Sequence, residues 1–185
     1  MNNRFFFRSV QAPRAEPARV VAISGPITTE VADRVITQLL LLEHESLHDI
    51  LLRIDSPGGS VKAGMAIYEA LRLSKCDIAT YSQTGAASMA AVLLAGGAAG
   101  KRVAAPRAQI VFHSPRHDPD EKLTGDEHVR QIITLKALLN EILQSHSGRA
   151  IDFIPFTTDQ ELRLTARQAK AYGLIDRVET MRFQT

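Results

Sequence analysis

The sequence predicts an α/β fold with a largely parallel sheet. Short β-rich or apolar runs alternate with segments whose apolar residues recur at helical spacing, which is the pattern of strands joined by crossover helices. The 185-residue chain is long enough for one domain with a substantial core, and it shows no internal repeat. We expect residues 1–18 to form a flexible N-terminal arm and residues 19–185 to form a single domain.

Two strand–helix units are predicted between residues 19 and 73. The first strand is the β-rich run RVVAIS at 19–24, and the helix after it can be capped by Thr28 or Thr29. The second strand is the run ILLRI at 50–54, nearly all apolar as in a strand covered on both faces. A helix then runs over about 61–73. The apolar residues at helical spacing in the first helix are Val31, Val35, Ile36, Leu39 and Leu40.

The rest of the chain continues the alternation of strands and helices. Thr165 and Gln168 form a capping box for a short helix that Gly173 ends, and Gly148 ends a long amphipathic helix. The predicted strands are residues 77–82, 108–113 and 174–178, and the predicted helices are residues 87–94, 126–147 and 165–173.

The composition excludes several classes of protein. The formal net charge is +2, from 22 basic and 20 acidic residues that are interspersed, so nucleic acid is not an expected partner. The longest weakly polar run, 85–100, is too short to cross a bilayer, and no membrane association is expected. Cys76 is the single cysteine, so an intrachain disulfide is impossible, and we expect a cytoplasmic protein.

Two local motifs offer backbone donors or a hydroxyl for catalysis. Gly58-Gly59 lets backbone N–H groups approach a ligand without a side-chain clash, although a simple tight turn would need the same residues. Ser88 stands among small and apolar residues at the start of an apolar helix, where it could be a nucleophile or an ordinary helix cap. The positive end of the helix dipole would favour negative charge that develops beside it.

His113 is the best candidate for a general base. It ends the apolar run IVFH, where a buried structural histidine is the alternative. The other five histidines lie in polar or helical-surface contexts, and no two histidines have the spacing of a metal site. Nucleophile, base and paired glycines together form a serine-hydrolase hypothesis that spacing alone cannot prove.

The order and separation of several motifs resemble the ClpP family of ATP-dependent serine peptidases. The motifs are SPGG at 56–59, AASM at 86–89, GKR at 100–102, IVFH at 110–113, LNEIL at 139–143, HSG at 146–148 and AKAYGLID at 169–176. The resemblance extends over about Arg19 to Val178, nearly the whole predicted domain. Any one of these motifs alone would be weak, but their combination in this order is specific.

The resemblance implies a crotonase-like α/β fold with a globular head and a protruding helical handle at about Leu123 to Ser147. It also implies seven-membered rings, usually stacked in pairs, that enclose the active sites and admit polypeptide substrates. A Clp-type ATPase or a ClpP paralogue is the partner implied for such a ring. No metal or organic cofactor is implied.

The resemblance also assigns roles to particular residues. Ser88 matches the nucleophile and His113 the base. The backbone N–H groups of Gly59 and Met89 match the oxyanion hole. A Ser-His-acid triad would therefore perform serine endopeptidase chemistry.

The third triad member departs from the family pattern. The family has an aspartate four residues before the Ser or Thr that caps the last helix, and counting back from Thr165 gives Glu161. A carboxylate there would orient the imidazole and stabilise its charged form. We expect Glu161 to take this role, with Asp159 as the competing candidate.

Other departures concern assembly. The family's arginine before the catalytic acid, which helps to pair the rings, is Gln160 here, and the glycine-rich segment after the catalytic histidine reads SPRHDP at 114–119. The tyrosines that help to form the pocket for ATPase docking loops are Leu51 and Arg53. The N-terminal arm does not resemble the family's axial loops. We therefore expect a ClpP-like ring with altered assembly or partners.

Two alternative functions fit parts of the sequence. One is a non-catalytic or weakly active ring subunit that pairs with an active paralogue, since the acid and the ring-pairing arginine both differ from the family. The other is a crotonase-fold acyl-CoA enzyme, which would use paired backbone donors to hold a thioester enolate. Because such an enzyme needs no serine nucleophile, the presence of both Ser88 and His113 argues against it.

Overall fold

A computed structural model describes residues 19–113, 125–148 and 161–181 of the 185-residue chain. The expectations for the N-terminal arm, the segment 114–119, Asp159 and Gln160 fall outside these residues. The elements in chain order are β1 (Val20–Ser24), α1 (Thr29–Glu45), β2 (Ile50–Asp55), α2 (Val61–Leu73), β3 (Ile78–Ser82), β4 (Gly85–Ala87), α3 (Met89–Ala95), β5 (Arg102–Ala104), β6 (Gln109–Phe112), α4 (Gly125–Ser147), β7 (Leu162–Thr165), α5 (Ala166–Ala171) and β8 (Arg177–Val178).

The strands form two sheets. The larger has the order β1-β2-β3-β5-β8 and is parallel at every described pairing. The smaller has the order β4-β6-β7, in which β4 is parallel and β7 antiparallel to β6. The predicted α/β fold with a mostly parallel sheet is therefore confirmed.

The core forms where helices cover the larger sheet and α3 joins the two sheets. Ile50, Leu52 and Ile54 of β2 are fully buried, whereas the intervening residues are half-buried, so this strand is less covered on its second face than the sequence suggests. All seven residues of α3 are buried, and the helix contacts strands of both sheets. An apolar helix in this place fixes the position of the residue that precedes it, Ser88.

The last long helix, α4, divides into two halves. From Leu139 onward it carries the buried residues Asn140, Ile142 and Leu143, which pack on the core. Its described residues before Leu139 are exposed or half-buried, as expected for a helix that projects as a handle. Among the helices of the described segments, none combines the length and the apolar character needed to cross a membrane.

The sequence misses three strands and misplaces the boundaries of two other elements. Strands β4, β5 and β7 are only three or four residues long, and β4 consists of glycine and alanine, which have low strand propensity. Ala87, predicted to begin a helix, ends β4 instead, because its N–H donates to the carbonyl of Ser56 over 3.0 Å. The predicted last strand at 174–178 is reduced to Arg177–Val178. Tertiary pairing, which is not local in sequence, decides these segments.

Candidate active site

Ser88 lies at the turn between strand β4 and helix α3. Its N–H donates to the Val111 carbonyl over 2.7 Å, which ties the turn to β6. Its φ of 54° and ψ of −127° are sparsely populated, and among the described residues it is the one non-glycine with positive φ. Its half-buried side chain makes no capping hydrogen bond, which contradicts the helix-cap alternative. Serine hydrolases of other folds expose their nucleophile on a similarly strained strand-to-helix turn.

Two backbone N–H groups flank the contact between Gly58 and Ser88. A Cβ on Gly58 would stand 2.8 Å from the Ser88 Cβ and 3.2 Å from the Met89 nitrogen, so the glycine turn lies directly against the start of α3. Met89 begins α3, and its N–H has no intrahelical acceptor. Within the part of the chain that the structure describes, the N–H groups of Met89 and of the exposed Gly59 have no acceptor. The Gly58 N–H, by contrast, donates to the Ser56 Oγ over 3.0 Å.

Backbone hydrogen bonds hold the turn between β2 and α2 from two sides. On one side the Ile27 N–H donates to the Gly58 carbonyl over 2.8 Å, and the Ser60 N–H donates to the Ile27 carbonyl over 2.9 Å. On the other side the Ser56 carbonyl accepts the Ala87 N–H over 3.0 Å. The Gly58-Gly59 segment is therefore a tight turn that also presents backbone donors. The two interpretations of this motif, a simple turn and a set of donors for a ligand, are compatible.

Asp55, which the sequence does not single out, anchors the loop from β3 to β4. Its Oδ1 accepts the N–H groups of Gln83 over 2.9 Å and Thr84 over 2.7 Å, and also the Thr84 hydroxyl over 3.0 Å. The loop leads directly into the strand that ends before Ser88. The signal in the sequence is an acidic residue at the end of an apolar strand, but its partners are 28 and 29 residues away.

His113 and Glu161 lie at the same end of the smaller sheet as Ser88, where β4 and β6 end and β7 begins. Strands β4 and β6 are parallel, and Ser88 and His113 follow their carboxyl ends. Strand β7 is antiparallel to β6 with Phe112 opposite Leu162, so the next pair outward is His113 and Glu161. Directly opposite residues of an antiparallel pair point to the same face. His113 is half-buried and not part of the core, unlike the structural histidine considered above.

The carboxylate of Glu161 has a defined partner. Its Oε1 lies 2.5 Å from a guanidinium nitrogen of Arg163, two residues along the same strand. The Glu161 side chain is 36% exposed and that of Arg163 is 68% exposed. The competing acid, Asp159, lies outside the described residues, so the choice between Glu161 and Asp159 stays a prediction.

The carboxyl end of α3 is built around Arg102, which is 6% exposed. The guanidinium donates to the carbonyl of Ala95 over 3.3 Å and to that of His146 over 2.9 Å, and it lies 2.6 Å from the Asp176 carboxylate. A cation at these two helix ends is favourable because both ends carry negative partial charge.

A cavity of about 470 Å³ adjoins Arg102 and His146. It lies at the opposite end of α3 from Ser88, about 10 Å along the helix axis, and is separate from the candidate active site.

Asp176 and His146, both at this end, have shifted pKa values. Burial raises the pKa of Asp176, but the hydrogen bonds and charge of Arg102 outweigh burial and hold that pKa below its ordinary value. Burial, together with the positive charges of Arg72 and Arg102, lowers the pKa of His146 to about 4. The His146 Nε2 also lies 2.9 Å from the Tyr68 hydroxyl.

Comparison with known proteins identifies the family. The sequence matches the family model described as Clp protease over residues 11–182. Since the match covers nearly the whole chain, the protein belongs to the Clp protease family. It is thus, in general terms, a ClpP-like peptidase, and self-association with possible ATPase partners is a general property of its family. The resemblance found in the sequence is confirmed.

Proposed function

We propose that the protein is a serine endopeptidase that cleaves polypeptides inside an oligomeric ring chamber. Ser88 Oγ attacks the carbonyl carbon of the scissile peptide bond while His113 accepts the hydroxyl proton. The N–H groups of Gly59 and Met89 donate to the oxyanion that forms. His113 then gives the proton to the leaving amine, and water hydrolyses the acyl-enzyme by the same steps. Glu161 orients the imidazole.

The observation that carries this proposal is the junction of Gly58 and Ser88. It brings a strained serine, whose hydroxyl makes no cap bond, beside two backbone donors without an acceptor in the described residues. A helix that began with an ordinary cap would use the serine hydroxyl for its own first turn. Here both the hydroxyl and the donors are available to a substrate.

Exposed apolar side chains support the ring assembly. Large apolar side chains are rarely grouped on the surface of a monomeric protein, and such groups mark interaction sites. The helices α1, α2 and α4 and the loop after α1 each present some of them, so several surfaces are available for neighbouring subunits. These residues are Leu40, Leu41, Leu47, Leu73, Val129, Ile133 and Leu138. The seven-membered ring, the ATPase partner and the cytoplasmic location stay predictions.

The test is native mass spectrometry of the protein before and after reaction with a fluorophosphonate probe. We expect an assembly larger than a dimer that carries one adduct per subunit, on Ser88. Ser88→Ala should abolish the adduct and lower peptide hydrolysis at least ~10³-fold. Its melting temperature should stay close to that of the wild type, because no capping bond is lost.

Ser60→Ala is the matched control, since Ser60 also precedes a helix. Its hydroxyl accepts the Ala63 N–H over 3.3 Å, so its loss should cost about 1 kcal/mol of stability and leave labelling intact. A large assembly that takes no adduct would show a non-catalytic ring subunit instead. A labelled monomer or dimer at micromolar concentration would overturn the proposal that the protein forms a ring chamber.

A further inference from the structure

Strand β7 presents an arginine next to the candidate acid. Residues 161 and 163 are two apart on an extended segment, so their side chains share one face. Val111 of β6 pairs with Arg163, and Phe112, the last residue of β6, pairs with Leu162. Continued by one residue, this register would place His113 opposite Glu161, on the face that carries Glu161 and Arg163.

The ion pair on this face is too exposed to act mainly in folding. With side-chain exposures of 36% and 68%, the pair is open to water and adds little to the free energy of folding. Strand β7 is also at the edge of its sheet, and Glu161 is the residue just before the strand begins. Without a partner, its side chain could swing into solvent.

The ion pair restricts where the carboxylate can be. The guanidinium of Arg163 lies 2.5 Å from Oε1, so the ion pair limits how far the carboxylate can swing. The second oxygen of a carboxylate can still accept a hydrogen bond from an imidazole N–H. A glutamate has one more rotatable bond than an aspartate, so a fixed partner offsets the larger entropy cost of holding it in one geometry.

We propose that Arg163 is a positioning residue that holds the Glu161 carboxylate beside His113, in a triad whose acid is a glutamate. The proposal rests on the proposed function, since it has no meaning without Ser88 chemistry. It goes beyond that function because it makes the charge of Arg163 part of the site and commits to Glu161 over Asp159.

The experiment measures how fast a fluorophosphonate reacts with Ser88 in the assembled protein, as a function of probe concentration. The variants are Arg163→Gln, Arg163→Lys, Glu161→Gln and the double variant of Arg163→Gln with Glu161→Gln. The matched control is Arg177→Gln, which breaks another exposed pair at the same spacing, with Glu179 at 2.7 Å and exposures of 51% and 45%.

Arg163→Gln should lower the maximal reaction rate by about threefold to tenfold, because orientation is lost while probe binding is kept. The half-saturating probe concentration and the melting temperature should match those of Arg177→Gln. Arg163→Lys should recover most of the rate. In the Glu161→Gln background, Arg163→Gln should cause no further loss, since its effect passes through that carboxylate.

The two ideas fail in different ways. If the wild type forms no Ser88 adduct, the proposed function fails and the role of Arg163 falls with it. If the wild type reacts but Arg163→Gln reacts equally fast, or faster, Arg163 does not position the acid. An equal loss with and without the Glu161 carboxylate would overturn the proposal as well, because Arg163 would then act on something else.

Discussion

The two ends of helix α3 use their polar groups in opposite ways. At the amino end, the Ser88 hydroxyl makes no cap bond, and the N–H groups of Gly59 and Met89 have no acceptor among the described residues. At the carboxyl end, the guanidinium of Arg102 bonds to the Ala95 carbonyl, and the Leu94 carbonyl accepts the Thr80 hydroxyl over 2.7 Å. One end leaves its groups without partners among the described residues, and the other end uses its groups within the fold.

The difference shows how a short buried helix can hold a strained residue at its amino end. A residue with positive φ and two donors without acceptors lower stability, so the segment must be held by something else. The buried apolar body of α3 and the hydrogen bonds at its carboxyl end supply that support. We therefore expect changes at the amino end to affect chemistry most and changes at the carboxyl end to affect stability most.

Apart from the loss of Ser88 itself, the largest expected effect comes from Gly58→Ala at the amino end. Its Cβ would lie 2.7 Å from the Ala87 carbonyl oxygen and 2.8 Å from the Ser88 Cβ, so backbone must move. We expect labelling of Ser88 to slow by roughly 10²-fold or more, because the donors and the nucleophile separate. Stopped labelling reactions followed by intact-protein mass spectrometry measure this rate.

Gly25→Ala is the control for backbone strain alone. Gly25 has a φ of 79°, similar to the 90° of Gly58, but a Cβ there would meet no atom within 4 Å. It should cost about 1 kcal/mol of stability and keep the labelling rate of the wild type. Equal labelling rates in the two variants would mean that the contact between Gly58 and Ser88 does not position the nucleophile.

The next effect is on stability, through Arg102→Gln at the carboxyl end. The substitution removes the guanidinium from the partly buried Asp176 carboxylate, which keeps the backbone N–H of residue 102, and it removes a donor from two helix ends. Together these losses should cost about 3 kcal/mol. Urea denaturation at fixed protein concentration measures the loss. Arg177→Gln breaks an exposed pair and should cost less than about 1 kcal/mol. If Arg102→Gln were as mild as this control, the carboxyl end would not be the stabilising end.

The smallest effect is a pH dependence that comes from His146. Its pKa is about 4 in the folded protein and 6.5 ordinarily, so between these values the unfolded chain binds more protons than the folded one. Stability is therefore present above about pH 6.5 and decreases as the pH falls toward 4. Because the ring is partly exposed, we expect a loss of about 1–2 kcal/mol.

His146→Gln isolates this contribution, since glutamine does not titrate and can still accept a hydrogen bond from the Tyr68 hydroxyl. Urea midpoints of the wild type and the variant should converge as the pH is lowered from 6.5 to 4. Asp176, whose pKa is below its ordinary value, contributes its own loss mainly at more acidic pH. Parallel pH profiles of the two proteins would exclude His146 as the source.

Much of the fold could be predicted because its main signals are local. The long helices α1, α2 and α4 and the strands β1, β2 and β3 have periodic or continuous apolar patterns that do not depend on distant partners. The short strands β4, β5 and β7 have no such pattern, since each exists through its pairing with a strand far along the chain. The strand β4 leads into Ser88, so the part of the fold that the sequence fails to predict adjoins the candidate site.

The sequence by itself determined the chemistry available: one serine before an apolar helix, two adjacent glycines, and one histidine at the end of an apolar strand. It also determined the family, through the order of its motifs. Only the tertiary structure decided that Ser88 is strained and uncapped and that Gly58 lies against it. It also decided that β6, which His113 follows, pairs with β7, which Glu161 precedes, and that Glu161 binds Arg163. These facts depend on contacts between segments many residues apart, and local propensity carries no information about such contacts.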